Sequence, residues 1–137
     1  MAHWLVKSEP GAWSWDDQVR VGTEPWTGVR NHQAAANLKA MRVGDTAFFY
    51  HSVEEKRIVG IVEVVGEARP DPTDPESRWV AVDVKAGKPL AQPVTLARIK
   101  AEPRLANLAL IRQSRLSVMP IDDESWRILL AMAAEAP

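Results

Sequence analysis

Three runs decide the fold: Thr46-Ala-Phe-Phe-Tyr-His51, Ile58-Val-Gly-Ile-Val-Glu-Val-Val-Gly-Glu67 and Trp79-Val-Ala-Val-Asp-Val-Lys85. Each is rich in β-branched or aromatic residues and bounded by turn-forming residues, which predicts strands. In the third, Val80, Val82 and Val84 alternate with Trp79, Ala81 and Asp83, the period of a strand. Gly60 interrupts the second run and predicts a bulge. Between the second and third runs, Arg69-Pro-Asp-Pro-Thr-Asp-Pro-Glu-Ser77 predicts a loop, because its prolines donate no ladder hydrogen bonds. Towards the N-terminus, His3 to Lys7 reads as a short apolar strand, turned by Ser8-Glu-Pro-Gly. Ser14, three residues before Asp17, predicts the N-cap of a short helix reaching about Arg20. Gly22 to Gly28 reads as a loop. Asn31 predicts the cap of a helix from His32 to Arg42 that turns Ala34, Leu38 and Met41 to one face, with Gly44 as its C′ residue. Towards the C-terminus, Thr95 caps a short helix through Lys100, and Arg115 to Met119 reads as a last strand. Asp122 caps a final helix stapled by Ile121 and Trp126, with Trp126, Leu129, Leu130 and Ala133 on its buried face. Irregular loops and short helices join these strands, without the regular strand–helix alternation of a doubly wound sheet. The expectation is an α+β domain spanning 1–137, with a small, mostly antiparallel, barrel-like sheet.

Composition narrows the chemistry. The chain has 137 residues, 46% hydrophobic and 26% charged, an ordinary globular balance. It has no cysteine, which excludes disulfides, thiolate nucleophiles and Cys-ligated zinc, the last of which a zinc-dependent base deaminase requires. No apolar run reaches the length of a membrane span, and the N-terminus is too polar for a signal peptide, so a cytoplasmic protein, monomeric by default and free to associate with the nucleoid, is expected. Three histidines, His3, His32 and His51, lack metal-ligand spacing, and no nucleophile elbow, phosphate loop or dinucleotide fingerprint is present. No cofactor and no metal site is expected. Asp16, Asp17, Asp122, Asp123 and Glu124 fall in first helical turns and read as caps.

Net charge is −1, yet it is unevenly spread. Between Val84 and Pro120 stand Lys85, Lys88, Arg98, Lys100, Arg104, Arg112 and Arg115 against the single acid Glu102. Arg30, Lys39 and Arg42 occupy an acid-free stretch from Gly28 to Gly44. Such a distribution can give a neutral protein one basic face. Six of the nine aromatic residues are tryptophan. Trp4, Trp79 and Trp126 have a core reading, on strands or a helix face. Trp13, Trp15 and Trp26 cluster near turns in polar surroundings, with Arg30 and Asn31 close behind. Indoles of that kind can stack a base, at about 1–3 kcal/mol. Asn and Ser can read its edge and Arg can hold phosphate. Period-2 alternation would also display Arg115 and Ser117 together.

Trp4-Leu-Val-Lys-Ser-Glu-Pro10, Trp15-Asp-Asp, Trp26-Thr-Gly-Val-Arg-Asn-His-Gln-Ala34, Phe48-Phe-Tyr-His-Ser52, Pro70-Asp-Pro-Thr73 and Arg115-Leu-Ser-Val-Met-Pro120 occur in this order along almost the whole chain. Together they resemble the EVE domain family. The resemblance implies a PUA-like fold, related to YTH and ASCH domains. It implies a non-catalytic reader of nucleic acid, with modified cytosine in DNA, such as 5-methylcytosine or 5-hydroxymethylcytosine, as leading ligand and modified RNA bases as the alternative. Carried over, Lys7, Ser8 and Glu9 follow the first strand, and Trp15 and Trp26 wall the pocket. Val29, Arg30 and Asn31 stand at the helix start, while Tyr50, His51, Ser52, Arg115 and Ser117 complete the rim. Thr27 stands where the family pattern has Asp, which removes a carboxylate. Two rival readings remain: an enzyme using Glu9, His51 and Lys7 as acid–base groups, and an interaction protein whose pocket takes a peptide or metabolite.

Overall fold

The computed structural model describes residues 1–134; the last three residues of the expected 1–137 domain lie outside them. Strand β3 (Thr46–His51) is the hub, because both of its faces are covered. Alternation sends Phe48 and Phe49 to opposite sides. Phe48 stacks on Trp126 at a centroid distance of 3.9 Å, while Phe49 meets the rings of Trp15 and Trp26 edge-on, both at 5.4 Å. Strand β1 (His3–Ser8) runs parallel to β3 on one side, and β4 (Arg57–Pro70) runs antiparallel on the other. Beyond them lie β5 (Val80–Thr95), the short β2 (Thr23–Pro25) and β6 (Val118–Ile121). The order is β2-β5-β4-β3-β1-β6, with β1–β3 the one parallel pair among the described residues.

Helix α2 (His32–Ala40) touches β4, β5 and also β6. In a flat sheet β5 and β6 would lie roughly 19 Å apart, four strand spacings. A nine-residue helix about 13.5 Å long reaches both because the sheet is rolled around it. The α+β, mostly antiparallel, barrel-like architecture is therefore as expected, with the ladder left open between β2 and β6. Helix α5 (Asp123–Ala134) packs on β5 and, through Trp126, on β3 and on His3 of β1.

The helix caps follow the sequence. Ser14 and Asp17 form a reciprocal capping box on α1 (Trp15–Val21). Asn31 Oδ1 accepts from Ala34 N–H, Thr95 Oγ1 from Arg98 N–H at the start of α3 (Leu96–Ala101), and Asp122 from Ser125 N–H. Asp45, also buried, ties the chain start to the sheet by accepting from Ala2 N–H, Arg42 N–H and the Trp4 indole.

Several local expectations are corrected. Helix α2 stops at Ala40, and Gly44 (φ +96°) serves the tight turn closed by Asp45 N–H to Arg42 C=O instead of the helix end. The stretch read as a loop, 22–28, contains β2, whose Pro25 is tolerated on an edge strand. Strand β5 continues from Lys85 to Thr95 through Pro89 and Pro93, with register shifts along its ladder to β4. The last strand begins at Val118, so Arg115 and Ser117 precede it, beyond the short α4 (Ala109–Arg112), and the alternation argument fails for them. On α5, Leu130 is exposed while Ile128 and Met132 are buried. Trp79 lies just ahead of β5, half-buried and tilted against His32, and is not a core residue.

Candidate functional site

The parallel pairing of β1 and β3 brings two strand ends together, with Lys7 opposite Tyr50 and Ser8 opposite His51. The chain after β1 doubles back. Ala12 and Trp13 donate to Glu9 C=O, and Ser8 Oγ donates to Trp13 C=O. This turn sets Trp13 at the mouth of a cleft of about 280 Å³, lined by Lys7, Ser8, Ala12, Trp13, Glu24, Pro25, Trp26 and Thr27. Trp13 is half-buried, and its indole donates to Gln18 Oε1. Gln18 is wholly buried, and its amide donates to Gly22 C=O and Val84 C=O, so the Trp13 ring is anchored through α1 to β5. Trp26 is 7% exposed and braced against Phe49. Its indole N–H has no hydrogen-bond partner among the described residues. Every sealed side-chain polar atom is partnered, so this N–H reaches solvent. The Trp13 and Trp26 rings line one cleft without touching each other.

Lys7 Nζ donates to Ser114 C=O at 2.9 Å and lies 5.8 Å from the Tyr50 ring centroid. Burial holds its pKa below the usual lysine value. Burial also pushes the Tyr50 phenol up to about 12, so it is a neutral hydroxyl at physiological pH. Lys7 and Glu24 line the same cleft without forming an ion pair.

The other expected residues divide among different roles. Trp15 does not line the cleft: its ring lies over Gly60 and against Phe49, in the core. His51 is buried and fully engaged. Its Nε2 accepts from Trp15 N–H at 3.0 Å, which fixes the proton on Nδ1, and Nδ1 donates to Glu55 at 2.9 Å. The His51 hydrogen bond, with Arg57 beside it, holds the Glu55 carboxyl below the usual range against burial. Glu9 and Ser52 belong to a separate acidic depression with Glu54 and Glu55. Val29 is buried. Arg30 donates to Asp71 and Thr73, and Asn31 spends its oxygen on the α2 cap. Asn31 and Arg115 line a third depression with Gln33, Arg112, Gln113 and Ser114. Arg112 and Arg115 are exposed, with no ion pair among the described residues. Lys7 joins that depression to the tryptophan cleft through its bond to Ser114 C=O. Ser117, half-buried, accepts from Lys7 N–H through its carbonyl and lines none of the three depressions.

Of the cleft residues, Lys7, Ser8 and Trp26 are among those the resemblance carries over; Trp13, one of the three loop indoles read as able to stack a base, takes the place the resemblance gives to Trp15, and Ala12, Glu24 and Pro25 are not singled out by the sequence. The signal for Trp13 was its place before the Ser14 cap, outside the helix and so outside its buried face. Asp71 was missed too. It is fully buried and accepts from Gly28 N–H, Arg30, Thr73 N–H and Thr73 Oγ. Burial alone would raise its pKa. The hydrogen bonds, those from Thr73 and Gly28 foremost, outweigh burial and hold it well below the carboxylate range. It straps the loop carrying Trp26 to the loop after β4.

The sequence model of the EVE domain matches residues 2–132. Rpa0253 from Rhodopseudomonas palustris, solved by NMR, is 58% identical and superposes with a TM-score of 0.92 over 98% of this chain and 94% of its own. Human thymocyte nuclear protein 1 is 33% identical over 99% of this chain and 76% of its own length. The crystal structure of human THYN1 in complex with DNA containing 5-methylcytosine is 32% identical, with a TM-score of 0.92 over 100% of both chains. Among the described residues, no helix is long and apolar enough to cross a membrane.

Proposed function

This chain belongs to the EVE domain family, and we propose that it is a non-catalytic nucleic-acid-binding module that seats a modified cytosine of DNA in the Trp13–Trp26 cleft. The observation that carries this reading is the cleft itself: two separate indoles, one braced by Phe49 and the other by Gln18, beside a cation and a free indole donor. The human relative crystallised with DNA containing 5-methylcytosine supports the same ligand class. A base extruded from the duplex loses a few kcal/mol of stacking and pairing. Stacking on an indole returns about 1–3 kcal/mol. Burying a methyl at C5 adds about 0.8 kcal/mol, roughly fourfold, so the edge contacts must supply further selectivity. Arg112 and Arg115, unpaired beside the cleft, supply phosphate contacts.

Binding without catalysis is supported by the fate of the imidazoles. His51 has both ring nitrogens committed to Trp15 and Glu55, so it has no free site to accept a substrate proton. His3 stacks on Trp126 and bonds Thr46, and His32 packs on Trp79.

The test is fluorescence anisotropy with matched DNA and RNA oligonucleotides carrying cytosine, 5-methylcytosine or 5-hydroxymethylcytosine, at two salt concentrations. The expected result is tighter binding to modified-cytosine DNA that weakens steeply with salt through counterion release. Equal, weak and salt-insensitive binding to every oligonucleotide would refute the reading.

A further inference from the structure

We infer that Glu24 is the specificity-determining residue that distinguishes the amino-pyrimidine edge of cytosine from the carbonyl edge of thymine; the inference rests on the base-reading function proposed above. Glu24 stands on β2, half-buried, where its pairing with Val84 fixes the backbone. It is the one carboxylate among the residues lining the tryptophan cleft. Neighbouring Thr27, on the same wall, has only a hydroxyl. Among the described residues, no hydrogen bond or ion pair engages the Glu24 side chain, although Lys7 lines the same cleft. A half-buried carboxylate facing a cleft without a partner has four acceptor positions and nothing from the protein to fill them.

Of the remaining polar side chains of the cleft, Lys7 and Trp26 can only donate, while the Ser8 and Thr27 hydroxyls can donate or accept. Lys7 spends one ammonium hydrogen on Ser114 C=O and keeps two. The Trp26 indole N–H has no partner among the described residues. Cytosine presents a donor, its N4 amino group, followed by two acceptors, N3 and O2. Thymine presents an acceptor, a donor and an acceptor. A cleft with one carboxylate and two kinds of donor matches the cytosine sequence, with Glu24 accepting from N4, the pairing that Glu and Asp make with cytosine. Thymine would set its O4 against the carboxylate and leave that acceptor unsatisfied. A binding site built to hydrogen-bond one group rejects the analogue that lacks it, because its own polar groups are then left unpaired.

5-Methylcytosine and thymine carry the same C5 methyl group, so comparing them isolates the edge. The experiment measures binding of the full chain to duplexes in which either base stands opposite an abasic site, which removes the difference in pairing strength. The wild-type protein is expected to prefer 5-methylcytosine at least tenfold. In Glu24→Gln the amide can present its NH₂ to O4 of thymine, and the preference is expected to fall towards unity with the melting temperature unchanged. Glu24→Asp, which keeps the carboxylate on a shorter stem, is expected to retain part of the preference. Wild-type binding that favours 5-methylcytosine over cytosine but not over thymine overturns the Glu24 assignment and leaves the reader standing. An unchanged preference in Glu24→Gln does the same. Absence of salt-dependent binding to any of these duplexes overturns both.

Discussion

Replacing Asp71 by Asn tests whether the loop carrying Trp26 is held by a buried charge. The two carboxylate oxygens divide four donors between them. Oδ2 takes Gly28 N–H at 2.9 Å and Arg30 Nη1 at 3.0 Å, and Oδ1 takes Thr73 N–H and Thr73 Oγ, both at 2.7 Å. An Asn side chain has the same shape but one oxygen. Its least damaging orientation keeps that oxygen on Gly28 and Arg30 and turns NH₂ towards Thr73. The Thr73 hydroxyl can rotate to accept, but Thr73 N–H is left facing a donor. This N–H is part-buried, and leaving it unsatisfied costs about 1–3 kcal/mol. Losing the charge also weakens the Arg30 bond, by about 1 kcal/mol given the partial exposure of that guanidinium. The total is about 3 kcal/mol, or about 10 °C in Tm for a domain of this size.

The pH dependence has a definite sign. The folded-state pKa of Asp71 is depressed, so its stabilisation is fully present above the unfolded value, about 3.9, and is lost as pH falls towards the folded value. The stability gap between wild type and Asp71→Asn should therefore be constant from pH 7 to about pH 5 and shrink as pH falls from 4 to 3. Urea denaturation followed by tryptophan fluorescence at each pH measures that gap. A difference below about 0.5 kcal/mol at pH 7, or a gap that widens on acidification, would refute the argument that this carboxylate acts as an ionised strap.

Gly60→Ala places a Cβ 2.5 Å from the Trp15 ring, so the indole must move; a loss of about 1–3 kcal/mol is expected, measured by chemical denaturation, and unchanged stability would mean the ring does not rest there. Trp26→Ala removes a buried ring braced on Phe49 and should cost about 3–5 kcal/mol, so the variant should show a large fall in Tm as well as lost binding. The double variant Arg112→Ala/Arg115→Ala should leave Tm within a few degrees while lowering the slope of log K against log salt by about 2 on duplex DNA, as two lost phosphate contacts require.

What was legible in the sequence was local. Ser14, Asn31, Thr95 and Asp122 cap the helices they precede, because an N-cap acts on an N–H two or three residues ahead. The hub strands were legible because Phe48 and Phe49 sit in a run that neither helix periodicity nor a loop explains. The missed pieces depend on distant partners. Strand β2 is three residues long and exists because β5 offers it a ladder. The second half of β5 holds two prolines and survives through register shifts against β4. Asp71 lies 41 to 43 residues from Gly28 and Arg30, and no local pattern announces a strap across that distance.

The exchange of Trp15 for Trp13 at the cleft is the most informative difference, and its cause can be traced to two residues. Ser14 is the cap, so Trp13 precedes the helix and Trp15 is its first residue. The buried positions of α1 are Trp15 and Gln18, three apart on one face, which commits Trp15 to the sheet. The sheet receives it at Gly60, where a Cβ would occupy the space of the ring. A glycine inside a strand marks either a bulge or a close approach. Here both apply: the register shifts between Ile58 and Gly60, and the indole fills the vacancy. Trp15 N–H then finds His51 Nε2, which draws the one imidazole at the strand end into the scaffold. The same packing that removes Trp15 from the cleft therefore occupies His51 Nε2. Trp13, excluded from that packing and tethered by Gln18, remains to form the wall.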